Sequence, residues 1–489
     1  MSAHPTEIPS SILIVGSGVF GLSTAWALCK NPLFKNTSIT LVDRQPFPTP
    51  DGSSIDSSRI IRPDYASPPY TRLASRARTL WRTTFAPSHY HETGLCVTAS
   101  GPSSQAYVSA SLANVRALGT DTLEVLPSAA AIHRVCGLTS DVAVDAAANA
   151  PETEPASGSS GYVNWSSGWA DAEGAMRWLR REVEALDRVT FVVGTVQKLL
   201  IDHATATVSG VSVTLAASTT TPTPTPPTTT STLTATLTVL ATGAWTPSLL
   251  DLRGIARATG HPLCYLSLPP ALQTALASRP TLLNLSSGLF MLPPARHGHV
   301  LKIARHGHGY TNPTTIPHPE APATGETAGS AEATITVSLP RTHVDDPAQT
   351  VPREAQRACW AFLAALHPAL TNPSPTTTTT NTTKNANVHA DDSTRALFNS
   401  SRICWYTDTP TGDFLICYHP RYTGLFVATG GSGHAFKFLP VMGECVVDCM
   451  LGRTPEDFRG RWEWPGERVP EERWEGDGSR GGPKGRSKL

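Results

Sequence analysis

The chain has 489 residues, with 39 basic and 39 acidic side chains balancing to zero net charge, 40% hydrophobic residues and 16% charged ones. That length predicts two domains with enough apolar residues to bury their cores, and the charge balance argues against sequence-independent binding to nucleic acid or a membrane surface. Nine scattered cysteines without a CxxC pair argue against a disulfide framework or zinc ribbon and for reduced thiols inside a cell.

The first apolar run, residues 11–28, follows Pro5 and Pro9, carries three glycines and lacks a basic leader. It is therefore read as neither signal nor membrane segment. Ser11–Val15 reads as a short strand, 19–29 as a helix and 38–42 as a second strand, a βαβ unit. Helices are predicted over 72–82 and over 172–186, where Trp178, Leu179, Val183 and Leu186 recur at helical spacing. Residues 207–216 alternate like a strand, and 233–240 form a second β-rich run. The Thr- and Pro-rich stretch 219–231 between them reads as a long hairpin loop. Segment 311–330 reads as a loop and the Thr-rich 374–383 as a surface insertion. A strand over 425–428 precedes Gly430-Gly431, and a helix covers 441–451. The Gly-rich, charged 467–489 reads as a loose tail, too poor in apolar area to offset its ordering entropy. No repeat of domain size is visible.

The first strand runs into Gly16-Ser17-Gly18-Val19-Phe20-Gly21. Gly16 permits a tight turn, Gly18 lets backbone N–H groups approach a pyrophosphate, and Gly21 lets helix and strand pack closely. A pyrophosphate there meets the positive end of the helix dipole. The second strand ends at Asp43, suited to accept from a ribose hydroxyl. Arg44 leaves a 2′-phosphate open. Strand, glycines, helix, strand and acid in this order make a dinucleotide site, without separating NAD from FAD. The later Leu240-Ala241-Thr242-Gly243-Ala244-Trp245 and Gly430-Gly431-Ser432-Gly433 favour FAD, whose length needs several distant contact segments.

Arg296-His297-Gly298-His299 and Arg305-His306-Gly307-His308 raise the question of a metal. No acid or cysteine lies close enough in sequence to fix the geometry, so a polar-faced β-hairpin is preferred and no metal is expected. No nucleophile-elbow pattern supports Ser-His-Asp hydrolysis.

The chain resembles the monomeric sarcosine oxidase family of flavoproteins, with its fungal fructosyl-amino-acid, saccharopine and pipecolate oxidase branch. The resemblance runs to about residue 452 outside the inserts. It rests on residues 16–25, Asp56-Ser57-Ser58-Arg59-Ile60-Ile61-Arg62, Gly168-Trp169-Ala170-Asp171, Leu301-Lys302-Ile303-Ala304-Arg305-His306, Cys404-Trp405-Tyr406-Thr407 and Ser432-Gly433-His434-Ala435-Phe436-Lys437. It implies cofactor contacts at Gly16, Gly18, Val19, Phe20, Gly21, Asp43, Arg44, Ser53, Ser58, Arg59, Thr242, Gly243, Gly431, Gly433, His434 and Lys437. It also implies covalent attachment of FAD through Cys404, a thiolate being a suitable nucleophile toward the flavin 8α-methyl carbon. Arg62 and Lys437 correspond to the pair that holds a substrate carboxylate, Arg as a planar fork and Lys as a point charge. Tyr406 corresponds to a pocket hydroxyl. Lys302 corresponds to the lysine that activates oxygen by stabilising negative charge as it forms; read alone, it would be a snorkelling strand lysine. His306 corresponds to a substrate-contacting histidine, or one that tunes the protonation of the amine. Two departures, Cys417 where relatives commonly carry an acid and Ala435 where a glycine is usual, lie near the expected cofactor.

The resulting expectation is an α/β protein: a discontinuous Rossmann-like FAD-binding domain (1–92, 159–254, 404–455) and an α+β substrate domain (93–158, 255–403). A mixed sheet of the second would roof the flavin, and 456–489 would be a flexible tail. The activity implied is oxidation of an amino-acid-derived secondary amine of the sarcosine, pipecolate, saccharopine or fructosyl amino acid type, with oxygen as acceptor and hydrogen peroxide as product. The alternatives are a secondary-metabolite tailoring oxidase acting on an N-methyl or N-alkyl group of a bulkier amine, and a flavin-binding protein without catalysis. The expected partners are the small-molecule amine, oxygen and the peroxisomal import receptor, which reads the terminal Ser487-Lys488-Leu489. A peroxisomal monomer is expected.

Overall fold

The computed structural model describes residues 7–119, 122–138, 154–216, 230–294, 300–322, 333–371, 398–483 and 488–489. The 374–383 insertion, residues 217–229, the Arg296-His299 run and Ser487 lie outside them. Among the described residues, no helix is long and apolar enough to cross a membrane.

Two eight-stranded sheets organise the chain. The first runs Thr230–Thr234, Thr207–Leu215, Val189–Asp202, Ser38–Asp43, Ser11–Val15, Leu237–Leu240, Leu425–Thr429 and Leu415–Tyr418 in spatial order. Its centre is parallel: Ser11–Val15 pairs in parallel with Ser38–Asp43 on one side and Leu237–Leu240 on the other. These central strands read as continuous apolar runs because helices cover them. Val19–Lys30 and Leu439–Met450 pack against each other with Leu22, Leu28, Val446 and Val447 buried. Each such side chain contributes roughly 1.5–3 kcal/mol by leaving water.

The second sheet runs Ser400–Asp408, Arg257–Ser267, Val300–Arg305, Leu289–Leu292, Thr281–Asn284, Leu95–Ala99, Ser160–Asn164 and Leu123–Leu126. It is mixed, with Thr281–Asn284 parallel to Leu95–Ala99 and the other pairs antiparallel. Two expected domain boundaries shift accordingly. Ser160–Asn164 and Ser400–Asp408 both belong to this sheet, so the strand carrying Cys404 and Tyr406 is part of the substrate-side layer.

Three further expectations are corrected. The run 233–240 is not the second arm of one hairpin: Thr230–Thr234 pairs antiparallel with Thr207–Leu215, whereas Leu237–Leu240 turns away to pair with Ser11–Val15. The break at Ala235-Thr236 is fastened by reciprocal bonds between Ser11 and Thr236. Within 311–330, Pro313–Pro317 is a strand, paired with Thr334–Ser338. Finally, the C-terminal stretch is not loose over 456–483. Phe458 and Trp462 are buried and stack with centroids 3.9 Å apart. Beyond them, Arg480 is clamped by Asp408 and Gly481 lies so close to Leu285 O that no side chain would fit. At the very end, Leu489 N–H donates to Thr311 O at 2.9 Å.

Candidate active site

Two cavities flank the segment 52–62. The first, about 1200 Å³ between its walls, is lined by Gly16, Gly18, Asp43, Arg44, Ser53, Thr242 and Gly243 among others. Gly16 has φ +103°, and a Cβ there would lie 2.5 Å from Ala241 O, so only glycine can make this turn. Gly18 at the N-cap of Val19–Lys30 brings no capping side chain and no acid occupies the first turn. Val19 N–H donates to the neutral Ser54 Oγ at 3.0 Å, so the positive helix end is left uncompensated by charge for an anionic ligand. Asp43 Oδ2 accepts from Ser17 N and Oγ, each at 2.6 Å, and Oδ1 accepts from Arg44 N at 2.7 Å. Arg44 is bound to Asp51 and Asp345 and lies over the Trp245 ring. A guanidinium so engaged holds the loop and does not offer a free fork to a 2′-phosphate.

The second cavity, about 590 Å³, is lined by Ser58, Arg59, Ile60, Arg62, Leu283, Phe290, Leu292, Lys302, His306, Tyr406, Gly433, His434, Phe436 and Lys437. Arg62, Lys302 and Lys437, from three distant segments, thus face one space. Lys302 and Ala304 alternate along Val300–Arg305 and Cys404 and Tyr406 along Ser400–Asp408, so the period of two puts each pair on one face, and His306 follows directly past the end of the first strand. Val19, Phe20, Gly21, Gly431 and Cys404 are not among the residues lining either cavity; Phe20 packs edge-on against Phe414.

Lys302 is fully buried. Its Nζ donates to Asp56 Oδ2 at 2.5 Å and to Ser58 O at 2.8 Å. Burial pulls the ammonium down to about 8 against the opposing pull of Asp56. Asp56 also receives Arg59 at 3.2 Å, Arg402 at 3.8 Å and the Tyr265 hydroxyl at 2.8 Å. These cations hold its carboxyl well below the usual range although burial works against them. Arg59 further donates to Cys404 Sγ at 3.1 Å, where a cation stabilises negative charge on sulfur.

Lys437 Nζ donates to Tyr65 Oη and His434 O, both at 2.8 Å. The Tyr65 hydroxyl in turn donates to His434 Nδ1 at 3.0 Å, and His434 Nε2–H donates to Gly412 O. Burial, then Lys437, lowers His434 to about 3, so it is a neutral fixed link. Burial and the Arg62 charge push Lys437 well below the ordinary lysine range. Arg62 is buried over the Tyr65 ring, and its Nη1 has no hydrogen-bond partner. A buried guanidinium N–H without a partner is costly unless an acceptor arrives there, although the Asp64 carboxylate also acts on the charge. His261 stacks on Tyr406 with centroids 4.1 Å apart.

Asp56, Tyr65, Arg402, His261, Asp477 and Ser479 escaped the sequence reading as site residues. Asp56 was within reach of it, being an acid inside the same Asp-Ser-Ser-Arg run that carries the cations. No local signal marks the others. Of the four histidines in the paired Arg-His-Gly-His runs, His297 and His299 lie outside the described residues; among the described residues, no three His, Cys, Asp or Glu side chains are grouped to hold a metal.

Residues 11–449 match the family of FAD dependent oxidoreductases. The protein belongs to this family. The oxidoreductase is 30% identical to the amino acid oxidase imqH of Aspergillus flavus over 94% of this chain and 98% of that protein. It is 27% identical to the L-saccharopine oxidase of Schizosaccharomyces pombe over 93% of each. Its fold matches the fructosamine oxidase Amadoriase II of Aspergillus fumigatus, crystallised with FSA, with a TM-score of 0.74 at 25% identity, covering 98% and 95% of the two chains. Family and cleft agree: the glycine turn, the helix start without an acid and the unpartnered polar atoms of Arg44 and Thr49 along the first cavity suit FAD. Gly16, Gly18, Asp43, Thr242 and Gly243 would hold its dinucleotide part.

Proposed function

We propose that this FAD-dependent oxidoreductase is an oxidase of an amino-acid-derived secondary amine, with oxygen as acceptor and the flavin tethered through Cys404. The observation that carries this reading is the convergence of Arg62, with its unpartnered Nη1, and Lys437 on the cavity that also contains Lys302. Arg62 and Lys437 bind the substrate carboxylate, the first as a fork and the second from another side. Ile60, Leu283, Phe290 and Leu292 exclude water and pack against an apolar substrate body, which favours an amine with an apolar side chain over a polyhydroxylated one. The nearby guanidinium of Arg62 disfavours a second positive charge, so the amine is bound neutral. His306 and Tyr406 border the same space and orient the amine. Bound FAD supplies acceptance of a hydride from the C–H beside nitrogen, leaving an imine that water splits, and passes the electrons to oxygen to give hydrogen peroxide. Lys302, fixed by Asp56 and Ser58, holds positive charge where oxygen is reduced. Similarity to an amino acid oxidase, a saccharopine oxidase and a fructosamine oxidase supports an amino-acid-like substrate. The C-terminal Ser487-Lys488-Leu489 supports a peroxisomal address, for which Leu489 would have to leave Thr311.

The test is anaerobic mixing of the yellow protein with sarcosine, pipecolate, saccharopine, fructosyl amino acids and N-methylated aromatic amino acids. Bleaching of the flavin followed by peroxide on admitting air is expected with at least one. A holoprotein bleached by none of them, yet bleached by a carboxylate-free amine, would remove the carboxylate-binding role.

A further inference from the structure

The C-terminal strap, residues 476–482, runs beside His306 and bonds to it. It is fixed on both sides of that contact. Gly476 N–H donates to Pro410 O at 2.9 Å, Arg480 makes two bonds to Asp408 at 2.5 and 2.6 Å, and Gly482 N–H donates to Ser286 O at 2.7 Å. Gly481 N–H donates to His306 O itself at 3.2 Å. Between these anchors, Ser479 is buried with its Oγ 3.2 Å from His306 Nε2 and 2.6 Å from Asp477 Oδ1, which also accepts Ser479 N–H at 3.0 Å.

We propose that Asp477 and Ser479 are positioning residues that lock His306 in its Nε2–H tautomer, so that Nδ1 presents a lone pair to the N–H of the substrate amine. A carboxylate only accepts, so the Ser479 hydroxyl proton must point to Asp477. The oxygen is then left with lone pairs for His306, and Nε2 must carry the proton. Nδ1 becomes the ring's remaining hydrogen-bonding position, on a residue that lines the cavity. The protonation states fit. Burial first and then Arg480 hold His306 neutral, far below its ordinary value, with His261 and Arg62 acting the same way and Asp477 opposing. Against the effect of burial, the bonds from Ser479 N–H and Oγ hold Asp477 below the ordinary carboxylate range. A neutral imidazole accepting from the amine N–H fixes the direction of the nitrogen lone pair, as an orienting acid does for the histidine of a catalytic triad. No proton is transferred in this arrangement. The role in turnover rests on the amine-oxidase reading; the tautomer does not.

The experiment uses holoprotein labelled with 15N-histidine, with His306 assigned by its loss in H306N. In the wild type, His306 is expected to show one neutral Nε2–H tautomer. Ser479→Ala should give a tautomer mixture and slow anaerobic flavin reduction by the best amine roughly ten- to hundredfold, the range for lost ligand-orienting partners. Reoxidation by oxygen should be unchanged, and Ser479→Thr, which keeps the hydroxyl, should restore reduction to within about threefold of wild type on the same scale. If S479A does not fold, Asp477→Asn reads the same tautomer, since its amide can donate to Ser479 and release the lock. A single Nε2–H tautomer persisting in the folded variant, or equal reduction rates for S479A and S479T, overturns the proposal. A wild type with the expected tautomer that no amine reduces overturns the oxidase reading and leaves the lock standing.

Discussion

Lys302 Nζ and Asp56 Oδ2 lie 2.5 Å apart with both side chains sealed from solvent. One carboxylate here carries three cations, Lys302, Arg59 and Arg402. Removing its charge leaves them buried and mutually repelling, which is worse than never having had the pair. Asp56→Asn should therefore destabilise the protein by about 3–5 kcal/mol. Urea unfolding of the holoprotein measures it; a change below about 1 kcal/mol, the worth of an exposed pair, would mean water reaches this cluster.

The same pair sets a pH dependence for the oxygen step. Burial brings Lys302 down to about 8. Below that pH the ammonium is present; as pH rises through it, the charge is lost. The second-order rate of reoxidation by oxygen should fall as pH rises through about 8, while reduction by amine keeps its own profile. Lys302→Met should lower reoxidation by roughly a hundredfold, as for loss of one charge-stabilising donor, and erase that limb. Stopped-flow mixing of reduced enzyme with oxygen reads both.

Lys437 predicts proton uptake. In the free enzyme, burial and Arg62 depress it well below the ordinary lysine range. A carboxylate arriving between the two cations favours the ammonium. Binding of a non-oxidisable carboxylate, such as acetate or a tertiary amino acid, should thus take up a proton at pH values between the depressed Lys437 value of the free enzyme and the ordinary lysine range. Calorimetry in buffers of different ionisation enthalpy measures it, and Lys437→Met should abolish the uptake. Arg62→Lys, which keeps charge but loses the fork, should weaken binding by about 1–3 kcal/mol.

Legibility from sequence divides along the range of the forces involved. The βαβ unit was readable because Gly16, Gly18, Gly21 and Asp43 are local demands of a turn and a helix end, and the structure follows it within a residue. Arg62, Lys302, His306, Tyr406 and Lys437 were readable only through family resemblance, and they do share one cavity. The strap was misread because its low apolar content predicts poor burial. Its order comes instead from Trp462 and Phe458 just upstream and from the pairing of Arg480 with Asp408, contacts whose partners lie far away in sequence. The division of 233–240 into two strands likewise depends on which neighbour each half meets.

Cys404 is buried with the Arg59 guanidinium, which lines the second cavity, donating to its Sγ at 3.1 Å. With Cys404→Ser, the flavin should come off on acid precipitation, whereas the wild-type pellet should stay yellow. Wild-type protein that releases all its flavin in acid would end the tether.

Arg480 ties the strap to the second sheet through a two-pronged bond to Asp408, and its charge also bears on His306. Arg480→Ala leaves Asp408 buried without its two-pronged partner, with Thr259 donating to it and Arg257 nearby, a loss of about 3–5 kcal/mol by the cost of breaking a buried pair. The effect on His306 has a definite sign. Burial depresses the imidazole first and Arg480 second, with Arg62 and His261 adding to it and Asp477 opposing. Removing Arg480 deletes one depressing charge while burial remains, so His306 rises toward its ordinary value without reaching it. The imidazolium then forms at higher pH, and because it cannot accept from the amine, the acid limb of kcat/KM should move upward. A profile from pH 5 to 9 for wild type and R480A checks this, and an acid limb unmoved in a folded variant would show that His306 does not control amine binding.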